Sequence, residues 1–206
     1  MKTILNANDN KGGFSLIELM VVIGMIAGLT TLSIPAFNSI TDANALNASA
    51  SKVIDAMNLA RQSAITLNRP VQIRFYQIKD LSGTDLSYRA IRLIQVDGST
   101  LKDLAKVDYV DRNVILSDRP EYSTLIAAAP QFGTDSLPGN TTNLNYRMFQ
   151  FMPDGSADLP AASGDSWFIT LYLKRAVKNG LDGALPQNFI TVQIDPVTGK
   201  ARAYHP

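Results

Sequence analysis

Residues 11–34 read KGGFSLIELMVVIGMIAGLTTLSI, and this stretch decides the fold of the chain. Between residues 14 and 34 the only charged residue is Glu18. As an α-helix, these 21 residues rise by about 31 Å, which matches the hydrocarbon core of a bilayer. The stretch therefore predicts a membrane-spanning helix and sets the first part of the chain apart from the rest.

The composition of the whole chain argues against several classes of function. It has 206 residues with 19 Lys+Arg and 18 Asp+Glu, a net charge of +1, no cysteine and one histidine, His205. A chain without cysteine has no disulfide framework and no thiolate metal site, and a single terminal histidine argues against a catalytic triad. The balanced charge gives no basic field for nucleic acid. We predict neither an enzyme nor a cofactor, and we do not expect a nucleic-acid partner.

The residues around Gly13 resemble a known processing signal. A short polar leader, residues 1–13, carries Lys11 and ends in Gly13, and Phe14, Glu18 and the apolar run follow. This order is similar to the class III signal of type IV prepilins and type II secretion pseudopilins. The resemblance implies that a prepilin peptidase cuts between Gly13 and Phe14 and N-methylates Phe14. The apolar helix would stay on the mature chain, with Glu18 as its fifth residue.

Glu18 is the one residue of the apolar helix whose charge makes insertion into a membrane unfavourable. A carboxylate near the centre of a membrane helix costs about 2.5–3.5 kcal/mol, and less near the interface, so its default interpretation is a functional group with a partner. The resemblance implies that partner: the new α-amino group of Phe14 on a neighbouring subunit. Pairing the two charges would favour the assembled register, because an unpaired buried charge is strongly disfavoured. The alternative is a carboxylate that reaches to the membrane interface.

The apolar stretch has two other interpretations. A cleaved secretory signal peptide has a shorter apolar core and a small-residue cleavage site, whereas an ordinary single-pass anchor leaves Glu18 unexplained. If the stretch spans the inner membrane, Lys2 and Lys11 place the N-terminus in the cytoplasm. The body would then lie in the periplasm, and after assembly in a periplasmic or cell-surface filament.

Three residues of the apolar helix predict features of its backbone. Pro35 predicts a kink, and the alternative is that the helix stops there. Gly24 and Gly28 form a G-x-x-x-G pattern, which allows a second helix to approach closely or marks a weak stretch. We divide the helix into a transmembrane half, residues 14–35, and an amphipathic half, residues 36–69.

The amphipathic half has apolar residues every three or four positions up to about Leu67, where Asn68 and Pro70 end the pattern. This spacing predicts one buried face. Its members are Phe37, Ile40, Ala43, Leu46, Ala50, Val53, Met57, Ala60 and Ala64.

The body, residues 70–206, changes to the two-residue period that is typical of strands. Val71, Ile73 and Phe75 alternate with more polar residues and form the first predicted strand. Further strands are predicted at 88–96, 107–116, 146–152, 167–174, 189–194 and 200–204. Residues 118–145 are rich in Pro, Gly, Ser, Thr and Asn and predict a long irregular insertion. The predicted fold class is α+β and pilin-like: a long N-terminal helix packed on an antiparallel sheet.

Three segments carry a closer resemblance. Residues 60–71 (ARQSAITLNRPV), 151–156 (FMPDGS) and 194–202 (IDPVTGKAR) are similar to pseudopilins with a GspH-like domain. The chain as a whole resembles the pilin-like Verrucomicrobia/Chthoniobacter cassette proteins of type D. This implies a minor pilin or pseudopilin that binds other subunits through its N-terminal helix, in a type IV pilus or a type II secretion-like filament. The alternatives are a binding module, either an adhesin or a DNA-uptake pilin, and a single-pass anchored protein that does not assemble.

Two lesser sites are weighed against simpler interpretations. Asp154, Ser156 and Asp158 offer oxygen ligands for calcium, but they lack the usual spacing, and a turn explains them equally well. Lys200 and Arg202 could contact DNA phosphates from one side of a hairpin, whereas a solvated strand edge is the simpler interpretation. Trp167 is expected in the core.

Overall fold

The structure is a computed structural model that describes residues 13–79, 85–129, 131–160, 166–177 and 185–206, without the side chains of residues 32–39. The chain divides into two compact units, Met1–Thr41 and Asp42–Pro206. The division falls inside the part of the helix that we predicted to be amphipathic. The predicted leader lies, except for Gly13, outside the described residues.

The first helix, α1, runs from Leu16 to Leu67 and begins at a capping motif. The hydroxyl of Ser15 accepts a hydrogen bond from the backbone N–H of Glu18 at 3.2 Å, and the carbonyl of Ser15 accepts one from Leu19 at 3.1 Å. Ser-x-x-Glu is the capping-box pattern, in which the two side chains satisfy free N–H groups of the first turn. The helix therefore begins two residues later than the predicted Phe14.

The C-terminal end of α1 lies where the sequence predicts it. Asn68 has a φ of +50°, and its N–H donates to Ile65 at 3.3 Å. The N–H of Arg69 donates to Ala64 at 3.2 Å. These two bonds form a Schellman motif, with asparagine in the left-handed position that ends many helices. Position 35 lies within α1, so Pro35 does not end the helix. The predicted kink lies among residues 32–39, whose side chains the structure does not describe.

The described part of the body contains ten strands in one sheet with the order β10-β9-β8-β5-β2-β1-β7-β6, and β3 and β4 also pair with β2. All the pairs are antiparallel. The strands are β1 (Val71–Lys79), β2 (Leu86–Asp97), β3 (Thr100–Asp103), β4 (Asp108–Tyr109), β5 (Val114–Leu116), β6 (Gln131–Ser136), β7 (Asn143–Phe151), β8 (Trp167–Leu173), β9 (Phe189–Ile194) and β10 (Ala201–Tyr204). A short helix α2 (Thr124–Ala127) and a 3₁₀ turn (Lys174–Ala176) complete the body.

One face of the sheet packs on α1. Val53 and Met57 of the helix are fully buried in one cluster with the β1 residues Val71, Ile73 and Phe75. This confirms the α+β class and the packing of the helix on an antiparallel sheet. The predicted helix-face residues that are buried are Leu46, Ala50, Val53, Met57, Ala60 and Ala64. Ala43 is partly buried, and the predicted burial of Ile40 is wrong, because its side chain is 58% exposed; the side chain of Phe37 lies outside the described residues. Trp167 is buried as predicted.

The opposite face of the sheet is not the polar surface that the strand period suggests. Arg74 and Tyr76 are 4% and 0% exposed. Asp135 of β6 accepts from Arg74 at 3.0 Å, from Arg92 at 2.9 Å and from the Tyr76 hydroxyl at 3.3 Å. Burial raises the pKa of Tyr76, and the carboxylate of Asp103, 2.6 Å from Arg92, raises the pKa of that guanidinium. The buried Arg74 and the half-buried Arg92 therefore each have a carboxylate partner.

The segment 118–145 differs from the predicted irregular insertion, because it contains α2 and β6. The edge strand β6 contains few apolar residues, so the alternation of apolar and polar residues that marks a strand is weak there. Similarly, the predicted strand 107–116 is split into β4 and β5, and the fully exposed β3 has no apolar face that could reveal it.

Arg61 of α1 joins the helix to two turns of the body. Its Nε donates to the carbonyls of Thr198 at 2.7 Å and Gly155 at 3.1 Å. Gly199, with a φ of +62°, lies so close that an added Cβ would be 2.1 Å from the Gly155 carbonyl oxygen. Residues 60–71, 151–156 and 194–202 therefore meet around one arginine.

We predict that Gly199→Ala destabilises the body far more than Gly98→Ala. Both glycines have φ near +61°, where an L-residue is strained by about 1–2 kcal/mol, but only Gly199 is crowded. The contact with Gly155 should raise the cost of Gly199→Ala to about 2–4 kcal/mol. Urea unfolding of both variants measures the difference, and equal losses would contradict the described packing.

Candidate functional site

The described part of the predicted membrane segment, residues 14–31, exposes its large apolar side chains in every direction around α1. Their exposed fractions range from 45% to 80%. The side chains are Phe14, Leu16, Ile17, Leu19, Met20, Val21, Val22, Ile23, Met25, Ile26 and Leu29. A helix that is apolar all round is stable only when lipid or other protein covers it. We call residues 14–31 the apolar segment.

The hydroxyl groups of Thr30 and Thr31 are satisfied by the backbone of the same helix. Thr30 donates to the carbonyl of Ile26 at 2.6 Å, and Thr31 donates to that of Gly28 at 2.8 Å. These bonds leave neither threonine hydroxyl proton in need of an external acceptor.

Glu18 is the charged residue of the apolar segment and lies in the first turn of α1. Within the described part of the chain no cation forms an ion pair with it. The positive end of the helix dipole and the Ser15 cap favour an acidic residue in this turn. Glu18 therefore also stabilises the first turn of α1, independently of the predicted charge pair.

Gly13 and Phe14, the predicted cleavage residues, precede the helix and are exposed. Apart from the adjacent residues and the nearby backbone of α1 itself, a Cβ added at Gly24 or Gly28 would have no heavy atom within 4 Å. The two glycines are one turn apart, so they form an open, shallow surface on one side of α1. Cleavage between Gly13 and Phe14 and the approach of a second helix at Gly24 and Gly28 stay predictions.

Among the fully described residues, no helix is both long enough and apolar enough to cross a bilayer. Residues 32–34 of the predicted membrane segment are among those whose side chains are not described.

The turn around Asp154 is explained by its own hydrogen bonds. Asp154 accepts from the N–H of Ser156 at 2.9 Å and from its hydroxyl at 2.6 Å, and these bonds lower the pKa of the carboxyl. Asp158 instead accepts from the N–H of Gln150 at 2.7 Å, and burial raises its pKa. The described residues contain no group of three or more potential metal ligands. These hydrogen bonds account for the positions of both carboxylates without calcium.

Lys200 and Arg202 line one shallow groove at the β10 edge of the sheet, together with Asp195. Asp195 accepts from the Thr198 hydroxyl at 2.8 Å and from the Val197 N–H at 3.0 Å. The Thr198 hydroxyl, then the Val197 N–H and more weakly the charge of Arg202 lower the pKa of Asp195. A carboxylate beside the two cations weakens the local positive field, so the strand-edge interpretation is favoured over a DNA contact.

Known proteins offer little assignment for this chain. No protein-family model matches it, and no curated protein matches it. One solved structure, the minor pseudopilin EpsH from the Type 2 Secretion System of Vibrio cholerae, aligns with a TM-score of 0.41 and 11% identity. The alignment covers 78% of this chain and 97% of that one. The resemblances to prepilins, GspH-like pseudopilins and the type D cassette proteins therefore stay predictions.

The sequence patterns above do not single out two residues with structural roles, Ser15 and Arg61. Ser15 caps the helix that carries Glu18, and the pattern Ser-x-x-Glu was available as a signal. Arg61 lies inside a quoted segment, but its two acceptors are backbone carbonyls, which have no sequence signal.

We predict that Asp195→Asn lowers the melting temperature at pH 7 and that this deficit disappears in acid. A carboxyl whose folded pKa is lowered stabilises the fold above its unfolded pKa of about 3.9, and this contribution is lost as pH falls through the folded pKa. Thermal unfolding from pH 7 to pH 2 measures the deficit, which should shrink once the pH falls below about 3.9. In a Thr198→Val background the effect should be smaller, because the main donor is gone. A deficit that does not change with pH would disprove the assignment.

Proposed function

We propose that this chain is a pilin-like structural subunit of a filament. The observation that carries the proposal is the apolar segment: its side chains are exposed in every direction, while the body has a complete core of its own. A subunit of this kind needs its N-terminal helix to be covered by lipid before assembly and by the helices of other subunits afterwards.

In this proposal a prepilin peptidase removes residues 1–13 and N-methylates Phe14. Support comes from the local structure of the junction. Gly13, Phe14 and Ser15 lie outside the helix and are exposed, so the bond between Gly13 and Phe14 is available to an enzyme before α1 begins at Leu16.

The membrane step rests on the hydropathy of residues 14–34 and on the basic residues Lys2 and Lys11. We propose a single span in the inner membrane, with the N-terminus cytoplasmic and the body in the periplasm. The internal hydrogen bonds of Thr30 and Thr31 support this proposal, because lipid offers no alternative partners.

We propose that assembly is guided by a charge pair between Glu18 of one subunit and the α-amino group of Phe14 of the next. Phe14 and Glu18 are both exposed in the single chain, and no described residue forms an ion pair with the carboxylate; the free α-amino group would arise only on cleavage after Gly13. Gly24 and Gly28 then provide the open surface that lets neighbouring helices approach. The resemblance of three segments to GspH-like pseudopilins favours a minor subunit.

We predict that Glu18→Gln leaves processing intact but lowers incorporation into filaments by about tenfold or more, since one uncompensated buried charge costs several kcal/mol. Asp55→Asn, which removes an exposed acid of the same helix, is the matched control and should assemble normally. Immunoblots of sheared filaments and of membranes measure incorporation and processing separately. Normal assembly of Glu18→Gln would disprove the charge pair.

Mass spectrometry of the mature N-terminus tests the processing step by itself. The proposal requires a chain that begins with methylated Phe14. An intact Met1, or a new terminus after Pro35 or Ala36, would disprove it in favour of an ordinary anchor or a secretory signal peptide.

A further inference from the structure

The two ends of the sheet present different strands to solvent. The strand order begins at β10 and ends at β6, so each of them has one edge without a neighbouring strand among the described residues. An open edge can pair with a strand of another chain, and proteins usually prevent this with short strands, charged side chains, proline or bulges. β10 has four residues and carries Arg202, with Lys200 just before it, so its edge is protected.

The edge of β6 lacks these protections. Its six residues pair with β7 in continuous register and include no lysine and no proline. Its one charged side chain, Asp135, is turned into the polar cluster, where it pairs with Arg74 and Arg92. Gly133 leaves room for Tyr146, because an added Cβ would lie 2.7 Å from the Tyr146 hydroxyl oxygen. The outer edge of β6 is therefore regular and carries no outward-facing charge of its own.

The hydrogen bonds of Ser136 show which backbone groups of β6 face this edge. The N–H of Ser136 donates to the Asp135 carboxylate at 2.7 Å, and its carbonyl accepts from Arg92 at 3.1 Å, so both groups are directed away from β7. Along an antiparallel edge strand, every second residue directs its N–H and C=O away from the neighbouring strand. Phe132 and Thr134 therefore direct theirs to the open edge, where an added strand would bond to them.

An aromatic ring and a cation lie beside the open edge. Phe132 is 74% exposed and is opposite Arg147 of β7 in the register. The guanidinium of Arg147 lies 5.1 Å from the centre of the Phe132 ring, so the cation is placed over the edge strand itself. Among the described residues, no carboxylate forms an ion pair with Arg147. A carboxylate of an added strand would form this pair.

The two faces of β6 differ in charge. Phe132 and Arg147 lie on one face, and Gln131 and Asp135 on the other, since side chains alternate along a strand. Gln131 donates to the carboxylate of Asp158 at 3.3 Å, so a negative charge lies beside the second face. An added strand should therefore place carboxylates on the Arg147 face and uncharged side chains on the face of Asp158.

We infer that the open edge of β6 binds an extended acidic segment of another protein, which adds to the sheet as a further strand. Backbone hydrogen bonds to Phe132 and Thr134 hold the segment, and Arg147 selects its charge. A second copy of this chain is a poorer partner, because pairing two β6 strands would bring two Arg147 side chains to the same face, where like charges repel. The inference does not depend on processing or assembly.

Titration of the full chain with two synthetic peptides tests the inference. The chain is held in lauryldimethylamine oxide micelles, and the probes are the end-capped peptides TVEVEVT and TVKVKVT, which differ only in the sign of their charges. The acidic peptide should bind with a Kd of about 1 mM or below, and about fivefold more tightly than the basic one. Arg147→Gln should remove this preference. Arg202→Gln, which removes the same charge at the β10 edge, should retain it.

A second variant and a second readout test the strand pairing itself. Thr134→Pro should weaken binding of the acidic peptide about tenfold or more, because proline lacks the outward N–H, while an edge strand tolerates it. In the unaltered chain, the saturating acidic peptide should slow hydrogen exchange of the Phe132 and Thr134 amides roughly tenfold.

Three outcomes overturn the inference. The acidic peptide does not bind below about 10 mM, both peptides bind equally tightly, or the Phe132 and Thr134 amides become protected as the protein concentration rises without peptide. The last result would assign the β6 edge to a second copy of the chain.

Discussion

The apolar segment imposes the constraint on which the rest of the structure depends. Eleven large apolar side chains between Phe14 and Leu29 are exposed around a single helix. Covering them is worth on the order of 10 kcal/mol or more, at about 1.5–3 kcal/mol for each fully buried side chain. That is as large as the net stability of a typical domain. In the proposed function an apolar environment covers the segment, and the described core of the body is built without it.

The body is stabilised by contacts on both faces of one sheet. On one face, Val53 and Met57 of α1 pack against β1 and fix the helix to the sheet. On the other face, Asp135 pairs with Arg74 and Arg92, so that β6 covers a buried polar cluster. Arg61 then ties the last turns of the chain to the helix. The chain has no cysteine, so these contacts stabilise the body without a disulfide.

Local patterns in the sequence predict the helix and its buried face, because a helix repeats its environment every three or four residues. They also predict the end of α1, since Asn68 and Pro70 act within one turn. The polar cluster could not be predicted, because Asp135 is 61 residues away from Arg74 in the chain. The same is true of Arg61, whose acceptors are backbone carbonyls up to 137 residues away. At the N-terminus, the roles of Gly13, Phe14 and Glu18 stay predictions from their spacing, whereas the Ser15 cap, which the pattern Ser-x-x-Glu also indicates, is seen in its hydrogen bond to Glu18.

The central claim is that the apolar segment is covered in the cell while the body faces water. Because the chain has no cysteine, single-cysteine variants can report this directly. Ile26→Cys lies in the apolar segment, and Asn58→Cys lies on the exposed side of α1 in the body. Labelling with a membrane-impermeant maleimide in spheroplasts should modify Asn58→Cys rapidly and Ile26→Cys only after detergent is added. Equal labelling of both variants before detergent would contradict the account.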